Sequence, residues 1–87
     1  MEETNEKTEL GLTRNFIPIG KGQIPDGYSG DWRTVSFLWD MKSGKTIVWC
    51  DKVGYFTYQT PTAQDSQEAY WLLNNHPSSN VRFLTAS

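Results

Sequence analysis

The chain has 87 residues, of which 37% are hydrophobic, 14% aromatic and 21% charged. This composition is typical of one small globular domain and excludes a disordered or membrane-embedded protein. No signal-peptide pattern opens the sequence and no apolar run approaches membrane-spanning length, so we expect neither secretion nor a membrane span. The single cysteine, Cys50, excludes an internal disulfide and predicts a reducing, cytoplasmic location.

The negative charge of the chain is concentrated at its beginning. Residues 1–9 contain four glutamates and one lysine, a net charge of −3, whereas residues 10–87 carry +1. The basic residues form no run, so the charge pattern that drives phosphate binding is missing. We therefore predict that residues 1–14 are a flexible acidic arm and that residues 15–87 form a single small domain.

A short apolar segment and a glycine-rich stretch open this domain. Residues 16–19 have extended character, but Pro18 cannot donate a ladder hydrogen bond, so we expect an edge strand or a strap across the core. Residues 20–31 contain four glycines and a proline. That stretch is predicted to be a long loop.

Two stretches of alternating polarity, residues 33–40 and 46–50, predict an antiparallel hairpin. Its register can be chosen from the side chains, because a one-residue slip moves a whole strand's pattern to the other face. A three-residue loop with Gly44 in the left-handed conformation puts the bulky side chains on one face, whereas a two-residue loop mixes the faces. The predicted opposite pairs are Trp39 with Ile47 and Phe37 with Trp49.

A third strand is predicted after the turn at residues 51–54, which begins with Asp51 and ends with Gly54 as a type I turn favours. A four-residue loop there places Phe56 opposite Trp49 and Tyr58 opposite Ile47. One face of the resulting meander is the predicted core face. Its members are Val35, Phe37, Trp39, Ile47, Trp49, Phe56 and Tyr58.

A helix able to cover that face follows. Asp65 and Glu68 have the spacing of an N-cap and its reciprocal partner, with Thr62 as the competing cap, and Pro77 disfavours helix at the residue before it. Apolar residues at helical spacing between them form one stripe. With a last short strand over residues 81–84, the predicted fold class is α+β, a three- to four-stranded antiparallel meander with one α-helix packed on its core face.

Residues with catalytic potential are few and isolated. Residues 43–46 resemble the end of a phosphate-binding loop, but a strand follows where that motif requires a helix, so a hairpin turn is the better interpretation. Cys50 and His76 are each the only residue of their kind, and they are predicted in different elements. They cannot fill a metal shell without carboxylates at suitable spacing, and no carboxylate pair stands out. We expect no enzyme activity, metal or cofactor.

The outer face of the predicted sheet, opposite the helix, is the candidate functional surface. It is moderately apolar and nearly free of charge, and only residues 15–19 could cover it from the same chain. An apolar patch with a polar rim is typical of an interaction surface. The predicted surface residues are Leu38, Val48, Cys50, Tyr55 and Thr57.

These features predict a non-enzymatic protein-interaction module. Its partner would be itself or another protein, as in a self-associating subunit, an inhibitor, or an accessory protein of a larger assembly such as a virus particle. The alternative is a single-stranded nucleic-acid-binding protein that stacks bases on exposed aromatics. Its predicted contacts are Trp32, Tyr55 and Lys21.

Overall fold

The sheet is built mainly from strands that are neighbours in sequence. The computed structural model describes residues 15–84, in which five strands and one helix are found. These elements are β1 (Phe16–Pro25), β2 (Trp32–Asp40), β3 (Thr46–Cys50), β4 (Gly54–Thr57), α1 (Ser66–Asn75) and β5 (Arg82–Phe83).

All strand pairs are antiparallel, and the strand order is β4-β3-β2-β1-β5. Helix α1 packs on one face, against β1 and β2. The predicted α+β class with an antiparallel sheet and one helix is confirmed, with five strands in the sheet. The predicted flexible arm, residues 1–14, lies outside the described residues.

Strand β1 is longer than predicted. The loop expected over residues 20–31 is confined to residues 26–31, because residues 20–25 continue β1 and pair with β2. Gly22 is required for close packing here, since an added Cβ would lie 3.1 Å from both the Arg82 carbonyl oxygen and Phe37 Cε2. The glycine therefore marks a crowded strand, where a side chain would require its neighbours to move by a few tenths of an ångström.

Strand β1 pairs with β2 along its length but with the two-residue strand β5 only at its centre, so residues 16–19 have a strand on one side alone and lie at the sheet edge as expected. Strand β2 lies on one side of β1, and β5 pairs with Gly22 and Gln23 on the other. Pro18 lies opposite Leu38, beside a register shift between Pro18 and Gly20. Bulges of this kind are one of the places where a strand tolerates proline.

The predicted register of the β2–β3 hairpin is wrong by one residue. Phe37 lies opposite Val48, and Trp39 lies opposite Thr46. The predicted three-residue loop is replaced by a four-residue loop, residues 41–44. Neither the three-residue nor the two-residue loop considered from the sequence gives this pairing.

Asp40 explains why the longer loop forms. Its backbone N–H donates to the Lys45 carbonyl at 2.9 Å and its carbonyl accepts from Gly44 at 2.8 Å. Its carboxylate accepts from the Lys42 N–H at 3.0 Å and from the Ser43 hydroxyl at 2.9 Å. Gly44 has a φ of +76°, which closes the turn in the left-handed region that glycine enters without strain.

The register correction exchanges the two faces of β3. Val48 and Cys50, predicted on the outer face, are buried in the core at 0% and 2% exposure. Ile47 and Trp49, predicted in the core, lie on the outer face. The predicted interaction residues Val48 and Cys50 are therefore wrong.

The β3–β4 turn has three residues, 51–53, instead of the predicted four, because Gly54 is the first residue of β4 and lies opposite Cys50. This change offsets the register error of β3, so the side chains of β4 keep their predicted faces. Phe56 packs against the core and Tyr58 is buried within it. The observed opposite pairs are Val48–Phe56, Trp49–Tyr55 and Ile47–Thr57, instead of the predicted Trp49–Phe56 and Ile47–Tyr58.

Helix α1 begins and ends as its sequence predicts. The Asp65 side chain accepts from the Glu68 N–H at 2.8 Å, and the Glu68 carboxylate accepts from the Gln64 N–H at 2.7 Å. His76 leaves the helical conformation but still donates its N–H to the Leu72 carbonyl. The buried helix residues are Ala69, Leu72 and Leu73.

The main core lies between the sheet and the helix. Phe37 is at its centre, with ring centroids of Tyr58 and Phe83 at 5.9 and 5.5 Å. No helix within residues 15–84 has the length and apolarity needed to cross a membrane. The buried members of this core are Val35, Phe37, Val48, Cys50, Tyr58 and Leu73.

Candidate interaction surface

The sheet face opposite α1, which we call the outer face, carries side chains from all five strands. Register places them in rows that run across the sheet. One row contains Lys21, Ser36, Trp49 and Tyr55, and the next contains Pro18, Leu38, Ile47 and Thr57.

Aromatic and aliphatic side chains cluster at the centre of the outer face. The Tyr55 ring lies 4.9 Å from that of Trp49 and 5.5 Å from that of Phe16, measured between centroids. Phe16 belongs to β1 and Tyr55 to β4, with two strands between them, so both side chains lean across the sheet. We call the cluster the aromatic patch; it contains Phe16, Leu38, Ile47, Trp49 and Tyr55.

Ile47 shows how compact this patch is. Its side chain points away from the helix, yet only 6% of its surface is exposed. Leu38 beside it is half-buried. Phe16 lies within residues 15–19, so this segment contributes to the outer face from within strand β1.

A cavity of about 280 Å³ adjoins the aromatic patch where the β2–β3 turn meets the sheet. Asp40, Lys45, Ile47, Tyr55 and Thr57 are among its lining residues. Asp40 is fully buried, and its carboxylate is held by the turn described above. The carboxylate therefore shapes the rim of the patch and stabilises the turn.

Basic side chains lie beside the aromatic residues of the outer face, together with the carboxylates of Asp40 and Asp51. Lys21 is exposed in the same row as Trp49, and Lys45 lines the cavity beside Ile47. The Arg82 guanidinium lies 4.0 Å from the ring centroid of Trp32, which is a cation–π geometry. These cations could receive an anionic or a polar partner.

The structure brings most of the predicted surface residues together. Leu38, Tyr55 and Thr57 lie side by side on the outer face, in two adjacent rows. Trp32 and Lys21, predicted as nucleic-acid contacts with Tyr55, lie on the same face. Val48 and Cys50 are absent from it because they belong to the core.

Sequence reasoning missed three members of the surface, namely Phe16, Ile47 and Trp49. Phe16 was missed because its segment was expected to be an edge strand or a strap. Ile47 and Trp49 were missed because the predicted register of β3 was wrong. Asp40, four residues before Gly44, was the available signal, because aspartate favours the first position of a turn and glycine its left-handed end.

The isolated catalytic candidates have structural roles. Cys50 is buried in the core. His76 ends α1, with its Nδ1 2.7 Å from the Ser78 hydroxyl and accepting the Ser78 N–H at 3.1 Å. Residues 43–46 lead from a hairpin turn into β3, which confirms the hairpin interpretation. Across residues 15–84 no three His, Cys, Asp or Glu side chains form a group that could hold a metal.

Comparison with known proteins yields no relative of this chain. No protein-family model, no curated protein and no solved structure matches it significantly. The functional argument therefore depends on the surface itself.

Proposed function

We propose that this chain is a non-enzymatic protein-interaction module that binds through the aromatic patch of its outer face. The observation that carries the proposal is the position of this patch. The helix packs on the other face, whereas Phe16, Trp49 and Tyr55 meet on the outer face with polar residues around them. Aromatic residues in such a setting are typical anchors of protein interfaces.

A second copy of the chain is the first partner to test. Light scattering after size exclusion, over a series of concentrations, should give a mass of at least two chains for a self-associating subunit. A mass that stays at 10.0 kDa excludes self-association and assigns the patch to a different protein, as in an inhibitor or an accessory protein.

Two tryptophans provide a matched pair of variants. Trp49→Lys alters the aromatic patch, whereas Trp71→Lys alters a helix residue that is 58% exposed on the opposite side. Thr57→Arg adds bulk and charge at an exposed position of the patch rim, where folding is not at stake. We expect Trp49→Lys and Thr57→Arg to abolish association, or capture of the partner, and Trp71→Lys to retain it. Loss only in Trp71→Lys would refute the proposal.

A single-stranded nucleic acid is the second candidate partner, favoured by the cations of the outer face. Lys21, Lys45 and Arg82 accompany Trp32, Trp49 and Tyr55 there, and stacking on aromatics beside basic groups is how such strands are bound. An oligonucleotide should then quench tryptophan fluorescence at low salt. Lys21→Glu should weaken the quenching and Lys42→Glu, in the β2–β3 turn, should not.

We also propose that the protein is located in a reducing compartment such as the cytoplasm. Cys50 is buried in the core as a free thiol. Structural thiols of this kind persist where disulfides are not formed.

A further inference from the structure

A second cavity lies at one end of the core face, away from the aromatic patch. Its volume is about 370 Å³, within the range of roughly 300–1,000 Å³ common for small-molecule sites. Two hairpin loops flank it, because the β1–β2 loop and the β3–β4 turn emerge at the same end of the sheet. We call it the end cavity. Its apolar lining comes from Ile24, Pro25, Val35, Cys50, Val53 and Phe56.

The two loops carry apolar side chains that point into solvent. Tyr28 on the β1–β2 loop is fully exposed, and Val53 on the β3–β4 turn is 69% exposed. Both residues line the end cavity. An apolar molecule in the cavity would cover both of them, and no other part of residues 15–84 does so.

Hydrogen bonds of Asp26 brace the β1–β2 loop, which forms one wall of the cavity. The Asp26 N–H donates to the Asp31 carbonyl at 2.7 Å, and the Asp26 carbonyl accepts from the Gly30 N–H at 2.8 Å. Its carboxylate accepts from the Tyr28 N–H at 2.8 Å and pairs with Arg33. A preformed wall of this kind lowers the ordering cost of binding.

The charged residues of the cavity favour an anion. Two cations, Arg33 and Lys52, line it with one carboxylate, Asp26, and the Asp51 carboxylate, which is outside the lining, also acts electrostatically on Arg33. Within residues 15–84 the Arg33 side chain hydrogen-bonds only to Asp26, so its remaining N–H groups can serve a ligand. Lys52 is exposed and has no ion-pair partner among the same residues.

We infer that the end cavity binds a small amphipathic anion, a monocarboxylate with an apolar body such as a medium-chain fatty acid. The apolar body lies against Ile24, Val35 and Phe56. The carboxylate lies at the mouth, between Lys52 and the free N–H groups of Arg33. This site is separate from the aromatic patch, so an experiment that refutes binding in the end cavity leaves the proposed function of the patch unaffected.

Octanoate and octylammonium test the inference, because they share an apolar chain and differ in the sign of their charge. Each is titrated into the ¹⁵N-labelled chain while amide chemical shifts are recorded. We expect octanoate to shift the amides of Ile24, Val35 and Cys50, and to bind more tightly than octylammonium.

Lys52→Glu and Lys42→Glu are matched variants, since both change an exposed lysine in a hairpin turn. Lys52→Glu should weaken octanoate binding about two- to fivefold, the effect of one solvent-exposed ion pair, and should favour octylammonium. Lys42→Glu should leave both affinities unchanged. Three outcomes would each overturn the inference. The first is that octanoate does not bind, and the second is that it shifts only amides of the outer face. The third is that both probes bind equally and that Lys52→Glu does not change their affinities.

Discussion

A single residue of register decides which side chains of β3 reach solvent. With Phe37 opposite Val48, the even-numbered residues of β3 enter the core and the odd-numbered residues form the aromatic patch. The slip that the three-residue loop would impose reverses this assignment. The carboxylate of Asp40 prevents it by holding the four-residue loop.

Two valines allow the contribution of burial to stability to be measured with the residue type held constant. Val48 has no exposed surface, whereas Val53 is 69% exposed in the β3–β4 turn. Val48→Ala should lower the free energy of unfolding by about 1.5–3 kcal/mol, because it removes buried apolar area and leaves a cavity. Val53→Ala should change it by less than about 0.5 kcal/mol. Urea denaturation of both variants tests this, and an equal loss in the two would place Val48 outside the core.

At the scale of elements, the ends of helix α1 are set by local chemistry. Asp65→Ala removes the side chain that accepts the Glu68 N–H, and should cost about 1 kcal/mol of the free energy of unfolding. Gln67→Ala, at an exposed position of the same helix, is the control. Chemical denaturation measures both. Equal stabilities of the two variants would show that the cap contributes nothing.

The β1–β2 loop gives a prediction about pH. The side-chain hydrogen bond from Arg33 is the main cause that lowers the pKa of Asp26 from its usual 3.8, and the Tyr28 N–H adds to it. A lowered pKa in the folded state means that the ionised form stabilises the fold above pH 3.8 and that this stability is lost as the pH falls further.

Asp26→Asn should therefore be less stable than the unaltered chain near neutral pH, and the difference should shrink below pH 3.8. Thermal unfolding from pH 2 to 7 measures it. Asp31→Asn, which changes an exposed carboxyl of the same loop, is the control. A constant difference for Asp26→Asn across the range would contradict the account.

For the molecule as a whole, the two faces of the sheet differ in their chemistry. The core face packs on α1 and leaves the end cavity, and the outer face carries the aromatic patch with its cations. Association through an apolar patch survives salt, because screening acts on charges and leaves hydrophobic burial intact.

Salt therefore distinguishes the two proposed partners of the outer face. A protein complex formed by the aromatic patch should persist when salt rises from ~0.05 M to ~0.5 M. Nucleic-acid binding should be lost over the same range, because it releases counterions. Light scattering and tryptophan fluorescence follow the two processes. Salt-induced dissociation of a protein complex would show that the cations, and not the patch, hold it together.

Local signals in the sequence predicted much of the fold. The Asp65 cap, the stripe of Ala69 and the leucines, and the left-handed conformation of Gly44 depend on neighbours a few residues away, and each formed as expected. Alternation along β2 likewise identified Phe37 and Leu38 on opposite faces. The outer-face positions of Leu38, Tyr55 and Thr57 followed from these patterns.

The errors came from contacts between distant residues. Residues 20–25 are rich in glycine and were therefore predicted as a loop. In the structure Phe83 and the Arg82 backbone lie against Gly20 and Gly22, and the segment is a strand. The place of Phe16 in the aromatic patch depends on the contact of its ring with Tyr55, which is far away in sequence. The end cavity likewise depends on two loops that only the sheet register brings together.

The fold class, the helix with its caps, and the alternation of β2 and β3 could be read from the sequence, because these depend on local backbone preferences and side-chain periodicity. The buried face of β3, the length of β1 and the membership of the aromatic patch depend instead on contacts between distant residues, which the tertiary structure shows. The reason is that alternation has a period of two, so either face of β3 satisfies it equally well. The choice between them was made by the hydrogen bonds of one turn and by packing across the sheet.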